Sequence, residues 1–124
     1  MRKIALVEDN ADNRLLAQVI LGDLYDVTSY ENGPDALEGI AKEKPDLILL
    51  DIMMPQADGY EVAAKIAADP ELQRTPIVFL TALVTKSEAE AGLRIQGHPF
   101  VAKPINIPDL IKAIEENLPA QAVA

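Results

Sequence analysis

The chain has no cysteine and no tryptophan, and its aromatics are limited to three tyrosines and two phenylalanines. Without cysteine there can be no disulfide, thiol nucleophile or zinc–thiolate site. With so few aromatic rings, a core has to be assembled from Leu, Ile, Val and Ala. Basic residues are also sparse: 11 Lys and Arg face 20 Asp and Glu, for a formal net charge of −9. They are scattered from Arg2 to Lys112 without a cluster, which argues against direct nucleic-acid binding, because a phosphate backbone needs a concentrated basic face. The single histidine, His98, has no second His or Cys nearby to complete a metal site and is expected to be a surface loop residue. Long apolar runs are missing too. The short run before Glu8 and Asp9 is neither a signal peptide nor a membrane span, so a cytoplasmic location without membrane contact is expected.

At 124 residues, 49% of them hydrophobic, the chain suits one domain, which can bury roughly two thirds of its unfolded surface. Residues 1–119 are expected to form it, with 120–124 as a short C-terminal tail. Five short apolar runs, at 4–7, 27–30, 47–50, 77–80 and 100–102, alternate with segments of helical spacing. That alternation predicts an α/β fold in which a parallel sheet is covered on both faces. Leu15, Leu16, Val19, Ile20 and Leu24 mark the expected buried face of the first helix, and Ala36, Leu37, Ile40 and Ala41 that of the second. Asn32-Gly33-Pro34 opens the second helix, Asp58 with Glu61 makes a capping-box-like start for the third, and Asn106 before Pro108 caps the last. A fourth helix is expected over residues 86–95, where Gly92 interrupts an already weak pattern.

In a doubly wound parallel sheet, ligands bind beyond the carboxyl ends of the strands, where the strand order reverses. The residues at those ends are Glu8-Asp9-Asn10, Asp51, Thr81-Ala82 and Lys103-Pro104. Two carboxylates about 4 Å apart repel by roughly 4 kcal/mol at an effective dielectric near 20, so three ionised together require a compensating charge. Taken singly, each acid reads as a helix cap or a solvated loop residue. As a set at successive strand ends they read as the cradle of a hard cation such as Mg²⁺, since every available donor is oxygen. A carboxylate is also a competent nucleophile toward phosphorus, provided that metal, ammonium and hydroxyl groups meet the charge on the phosphoryl oxygens.

The run Val7-Glu8-Asp9-Asn10, the stretch Pro45-Asp46-Leu47-Ile48-Leu49-Leu50-Asp51-Ile52-Met53-Met54-Pro55 with Asp58-Gly59, then Thr81-Ala82 and Lys103-Pro104, together resemble response-regulator receiver domains of the CheY-like superfamily. The resemblance covers essentially the whole chain, and the opening acids are similar to those of DivK-like stand-alone single-domain regulators. It implies a flavodoxin-like, five-stranded sheet of order 2-1-3-4-5 flanked by five helices. It further implies that Asp51 is a phosphoacceptor, and that Glu8, Asp9, Asp51 and the backbone carbonyl of Met53 hold Mg²⁺, with Mn²⁺ as a substitute. Thr81 would bond one phosphoryl oxygen and Lys103 neutralise another, with a cis bond at Lys103-Pro104, while Thr81 and Phe100 would form the switch. The implied partners are a histidine kinase or histidine phosphotransfer protein and a downstream protein target. The chain itself would be a monomer or weak dimer, and no turnover enzyme.

Several residues depart from the family pattern. Phe100 lacks the hydroxyl of a tyrosine often found there, the loop Gly97-His98-Pro99 into the fifth strand is short, and Met53 and Leu83 are apolar. Neither of the last two can orient an attacking water, so slow loss of the phosphoryl group is expected. An aspartate-nucleophile phosphatase of the haloacid-dehalogenase type is the main rival, but Ile52 and Met53 follow Asp51 where a second acid would be required. A flavin carrier of the same fold would be repelled by Glu8-Asp9 at its phosphate loop. A receiver-fold scaffold working without phosphorylation is the third alternative.

Overall fold

The computed structural model describes residues 2–54, 59–82, 88, 94, 95 and 97–119. The apolar runs form five strands: β1 (Lys3–Val7), β2 (Asp26–Tyr30), β3 (Leu47–Asp51), β4 (Ile77–Thr81) and β5 (Phe100–Ala102). All pair in parallel, in the order β2-β1-β3-β4-β5. Among the described residues there are four helices: α1 (Ala11–Leu21), α2 (Gly33–Glu43), α3 (Gly59–Ala68) and α4 (Ile107–Asn117). None of them is long and apolar enough to cross a membrane.

Side chains alternate across the central strands and divide the core in two. Ala5, Val7, Ile48, Leu50, Ile77 and Phe79 pack with Ile40 of α2 and Val62 and Ile66 of α3. Ile4, Leu6, Leu47, Leu49, Val78 and Leu80 pack with Leu21 of α1 and Leu110 and Ile114 of α4. Both faces being covered explains why β3 and β4 are apolar without alternation until Asp51 and Thr81. Three helices start on asparagine caps. Asn10, Asn32 and Asn106 each accept, through Oδ1, the backbone N–H three residues on, at 3.0, 2.8 and 3.2 Å. The caps at Asn32 and Asn106 were legible in the sequence. Of the capping pair expected for α3, Glu61 lies in the first turn and Asp58 falls outside the described residues.

The apolar stripe of α1 corrects the expectation at every position but Ile20, which is half-buried against the core. Leu15, Leu16, Val19 and Leu24 are exposed at 64, 47, 67 and 51%, and the inward face carries Ala17 and Leu21 with the half-buried Arg14 and Gln18. That face looked solvent-directed because its polar residues are bonded inward. Gln18 Nε2 donates to Val27 O and Ser29 Oγ of β2 at 3.3 and 3.4 Å, and Arg14 holds the loop after β1. The helix expected over 86–95 falls outside the described residues except for Glu88, Arg94 and Ile95, as does the tail at 120–124. Ile95 forms an antiparallel bridge with His98. His98 is accordingly half-buried, edge-on to Phe79 at 5.5 Å. Burial, with the nearby Arg94 charge adding to it, lowers its pKa.

Leu21→Ala is therefore expected to cost about 2–5 kcal/mol in urea unfolding, through the cavity it leaves in the α1 side of the core. Leu15→Gln should stay within about 0.5 kcal/mol of wild type. Equal losses for the two variants would contradict this assignment of the α1 faces.

Candidate functional site

Strand register alone delivers the chemistry to one end of the sheet. Val7 pairs with Leu50, so Glu8 and Asp51 emerge side by side from β1 and β3. Asp51 pairs with Leu80, which sets Thr81 at the next step, and Thr81 pairs with Ala102. The N–H of Lys103 donates to Thr81 O at 2.8 Å, carrying the register one residue further. This is the carboxyl edge of the strands beside β1 and β3, where the chain first leaves for β2 and then returns on the other side.

Glu8, Asp51 and Thr81 are the buried polar residues among those described, at 1, 3 and 1% exposure, whereas Asp9 is exposed at the rim. Lys103 Nζ sits 3.0 Å from both Glu8 oxygens and 3.0 Å from Asp51 Oδ2. The Lys103-Pro104 bond is cis. Met53 is exposed, and its N–H donates to Asp51 Oδ1 at 3.2 Å. Phe100 lies apart from the cluster, buried in the α2/α3 side of the core and paired with Phe79, the residue two before Thr81.

Burial pushes the Asp51 pKa up to about 6, helped by the hydrogen bond and charge of Glu8 and opposed by Lys103. Burial acts in the other direction on the Lys103 ammonium, lowering its pKa, but Glu8 and then Asp51 outweigh it and leave the lysine above its usual value. One cation is thus shared by two acids that would otherwise face each other unscreened.

Glu8, Asp9 and Asp51 each offer an oxygen within 4.8 Å of the others. Three carboxylates and one ammonium leave a formal charge of −2, and all three donors are hard oxygens; both properties fit a divalent ion of the Mg²⁺ class. Ile52 and Met53 follow Asp51, so the second acid of an aspartate-nucleophile phosphatase is missing.

Two contributors were missed in the sequence. Asn13 Nδ2 donates to Glu8 Oε1 at 2.7 Å, and Arg14 Nη1 donates to the carbonyls of Glu8 and Asp9 at 2.9 and 3.0 Å. The signal was present: side chains in the first turn of a helix lean toward its N-terminus, here back over the acid-bearing loop. Gly59 is a third. A Cβ there would meet Asp51 O at 2.5 Å and Ile52 Cα at 2.8 Å, so only glycine lets α3 start against the backbone of the candidate acceptor.

Among similar proteins, the response regulator PleD of Caulobacter vibrioides is 38% identical over 105 residues, 84% of this chain but 23% of that protein, so the chain spans about a quarter of its length. The polar-differentiation response regulator DivK of Brucella anthropi is 32% identical over 118 residues, covering 94% of this chain and 96% of that one. The receiver domain of a sensor histidine kinase from Pseudomonas aeruginosa PAO1, solved with a magnesium ion coordinated in its active-site cleft, superimposes with a TM-score of 0.79 at 30% identity, over 93% of this chain and 95% of that one. With five parallel strands in the order 2-1-3-4-5, an acidic cluster at their carboxyl edge and a family match over residues 4–115, the chain belongs to the response regulator receiver domains.

Proposed function

We propose that the chain is a phosphorylation switch in which Asp51 accepts a phosphoryl group from a histidine kinase or histidine phosphotransfer protein, and that the change is read by a downstream protein. The observation that carries this reading is the approach of Lys103 Nζ to Asp51 Oδ2 at 3.0 Å within a buried pair of acids. A carboxylate oxygen of Asp51 attacks the phosphorus of a phosphohistidine; the P–N bond breaks, its electron pair leaves with the imidazole, and an acyl phosphate remains. The departing imidazole takes a proton from water. Lys103 would pair with a phosphoryl oxygen, and the Thr81 hydroxyl would bond another.

Glu8, Asp9, Asp51 and the Met53 carbonyl would hold Mg²⁺ or Mn²⁺, which supplies charge neutralisation at the transferring group. The magnesium ion in the similar Pseudomonas receiver supports that assignment. Thr81 and Phe100 form the proposed relay. Since Phe100 is already buried, the relay works by repacking around Phe79. Residues 1–119 are proposed as a receiver unit, which the overlap with DivK over 118 residues supports, and the cytoplasm, without DNA or membrane contact, is the proposed setting. No turnover of other substrates is proposed.

Incubation with acetyl phosphate and Mg²⁺, read by intact mass, should add one phosphoryl group to wild type and none to Asp51→Asn. Addition to both, or to neither, would sink the assignment. Met53→Asn should lose the acyl phosphate faster than wild type, because an exposed amide beside Asp51 can orient water. A decay rate unchanged or slower would count against that role; Leu83, the second apolar neighbour in sequence, lies outside the described residues.

The pKa of Asp51 also carries a stability prediction. Raised from 3.8 to about 6, it means the folded chain binds this proton more tightly than the unfolded one, so the group's contribution is most favourable below pH 3.8 and is lost as pH rises toward 6. In chelator, Asp51→Asn should raise Tm by a few degrees at about pH 7.5 and by less at about pH 4.5. A Tm gain that is the same at both pH values, or reversed, would contradict it.

A further inference from the structure

Glu8 is met unequally at its two oxygens. Oε1 accepts from Asn13 Nδ2 at 2.7 Å and from Lys103 Nζ at 3.0 Å, while Oε2 is met by Lys103 at 3.0 Å. A carboxylate oxygen has room for about two partners, so Oε1 is filled by its two donors, whereas Oε2 meets one donor, Lys103, among the described residues. The two donors also differ in kind. An ammonium competes directly with a divalent cation for a carboxylate, whereas a neutral amide satisfies an oxygen without opposing the cation's charge.

Asn13 is itself fixed. It lies in the first turn of α1, half-buried, with its backbone N–H bonded to the Asn10 cap at 3.0 Å. A carboxylate can only accept, so the group of Asn13 that faces Glu8 must be the amide nitrogen. We infer that Asn13 is a positioning residue for the cation site: by anchoring Glu8 Oε1, it fixes the rotation of the buried carboxylate and leaves Oε2 as the oxygen presented to a divalent ion. The inference rests on the metal-dependent reading above and assigns a residue to it. Lys103 becomes the partner that yields at Glu8 when the ion arrives, and Asn13 the one that stays. Groups that orient a ligand from behind typically contribute about 10- to 100-fold to metal affinity.

The test is a calorimetric titration of the full, unphosphorylated chain with Mg²⁺ alone, with a thermal unfolding curve for each variant. Asn13→Leu removes the amide at similar size, and Asn13→Ala removes it with a good helix former. Both should weaken Mg²⁺ binding about tenfold at temperatures where they are folded. Lys103→Met should bind more tightly than wild type, and adding Asn13→Leu to it should still weaken binding. Affinities equal to wild type in the Asn13 variants, with only a lowered Tm, would reduce Asn13 to a structural residue and overturn the inference. It would equally be overturned if the Asn13 effect vanished in the Lys103→Met background, since Asn13 would then act through the lysine. Absence of Mg²⁺ binding by wild type would instead remove the metal-dependent function, and this inference with it.

Discussion

Two buried carboxylates held side by side by the pairing of β1 with β3 are the constraint around which the molecule is organised. Val7 opposite Leu50 leaves no alternative for the residues that follow, and Glu8 and Asp51 must share a pocket that is almost closed to water. Isolated, such a pair would drive one member to protonate. Lys103, delivered by the register of β4 with β5, opposes that repulsion, yet burial first, and Glu8 after it, still hold the Asp51 pKa above its usual value. The cost falls on the acid proposed as the acceptor, and a bound cation would relieve part of it.

The surrounding elements hold that arrangement still. The pocket acids stand on central strands buried on both sides, and the loop between β1 and α1 is tied down by Arg14 through two carbonyls and by the Asn10 cap. α3 begins directly against the backbone of Asp51 through Gly59, whose N–H donates to Ile52 O at 2.7 Å. Geometry set by packed strands varies less than geometry set by loops, which suits a site whose charges sit 3.0 Å apart.

Much of this was readable in the sequence. Alternating apolar runs gave the five strands; the acids, threonine and lysine at their ends gave the pocket; Asn32 and Asn106 announced their helices. What was not readable has a common physical cause. Periodicity reports that a helix has an apolar face, not that anything covers it, so Leu15, Leu16 and Val19 were read as core while the inward face of α1 was occupied by Arg14, Ala17 and Gln18. Asn13 was passed over because an asparagine in a first helical turn has an adequate local explanation, and its contact with Glu8 depends on the loop's three-dimensional path. The sharing of Lys103 between two acids, likewise, follows from distances that no spacing rule encodes.

Lys103 also sets the pocket apart from sites that depend wholly on an ion for their counter-charge. Small domains whose ligating side chains have no internal counter-charge collapse only when their ion is present, so folding and loading are one process. Here the lysine travels with the polypeptide and occupies the acids as the sheet closes, bonded to Glu8 and Asp51 together. The pocket thus brings a counter-charge of its own, and a divalent ion would share the acids with a cation already in residence.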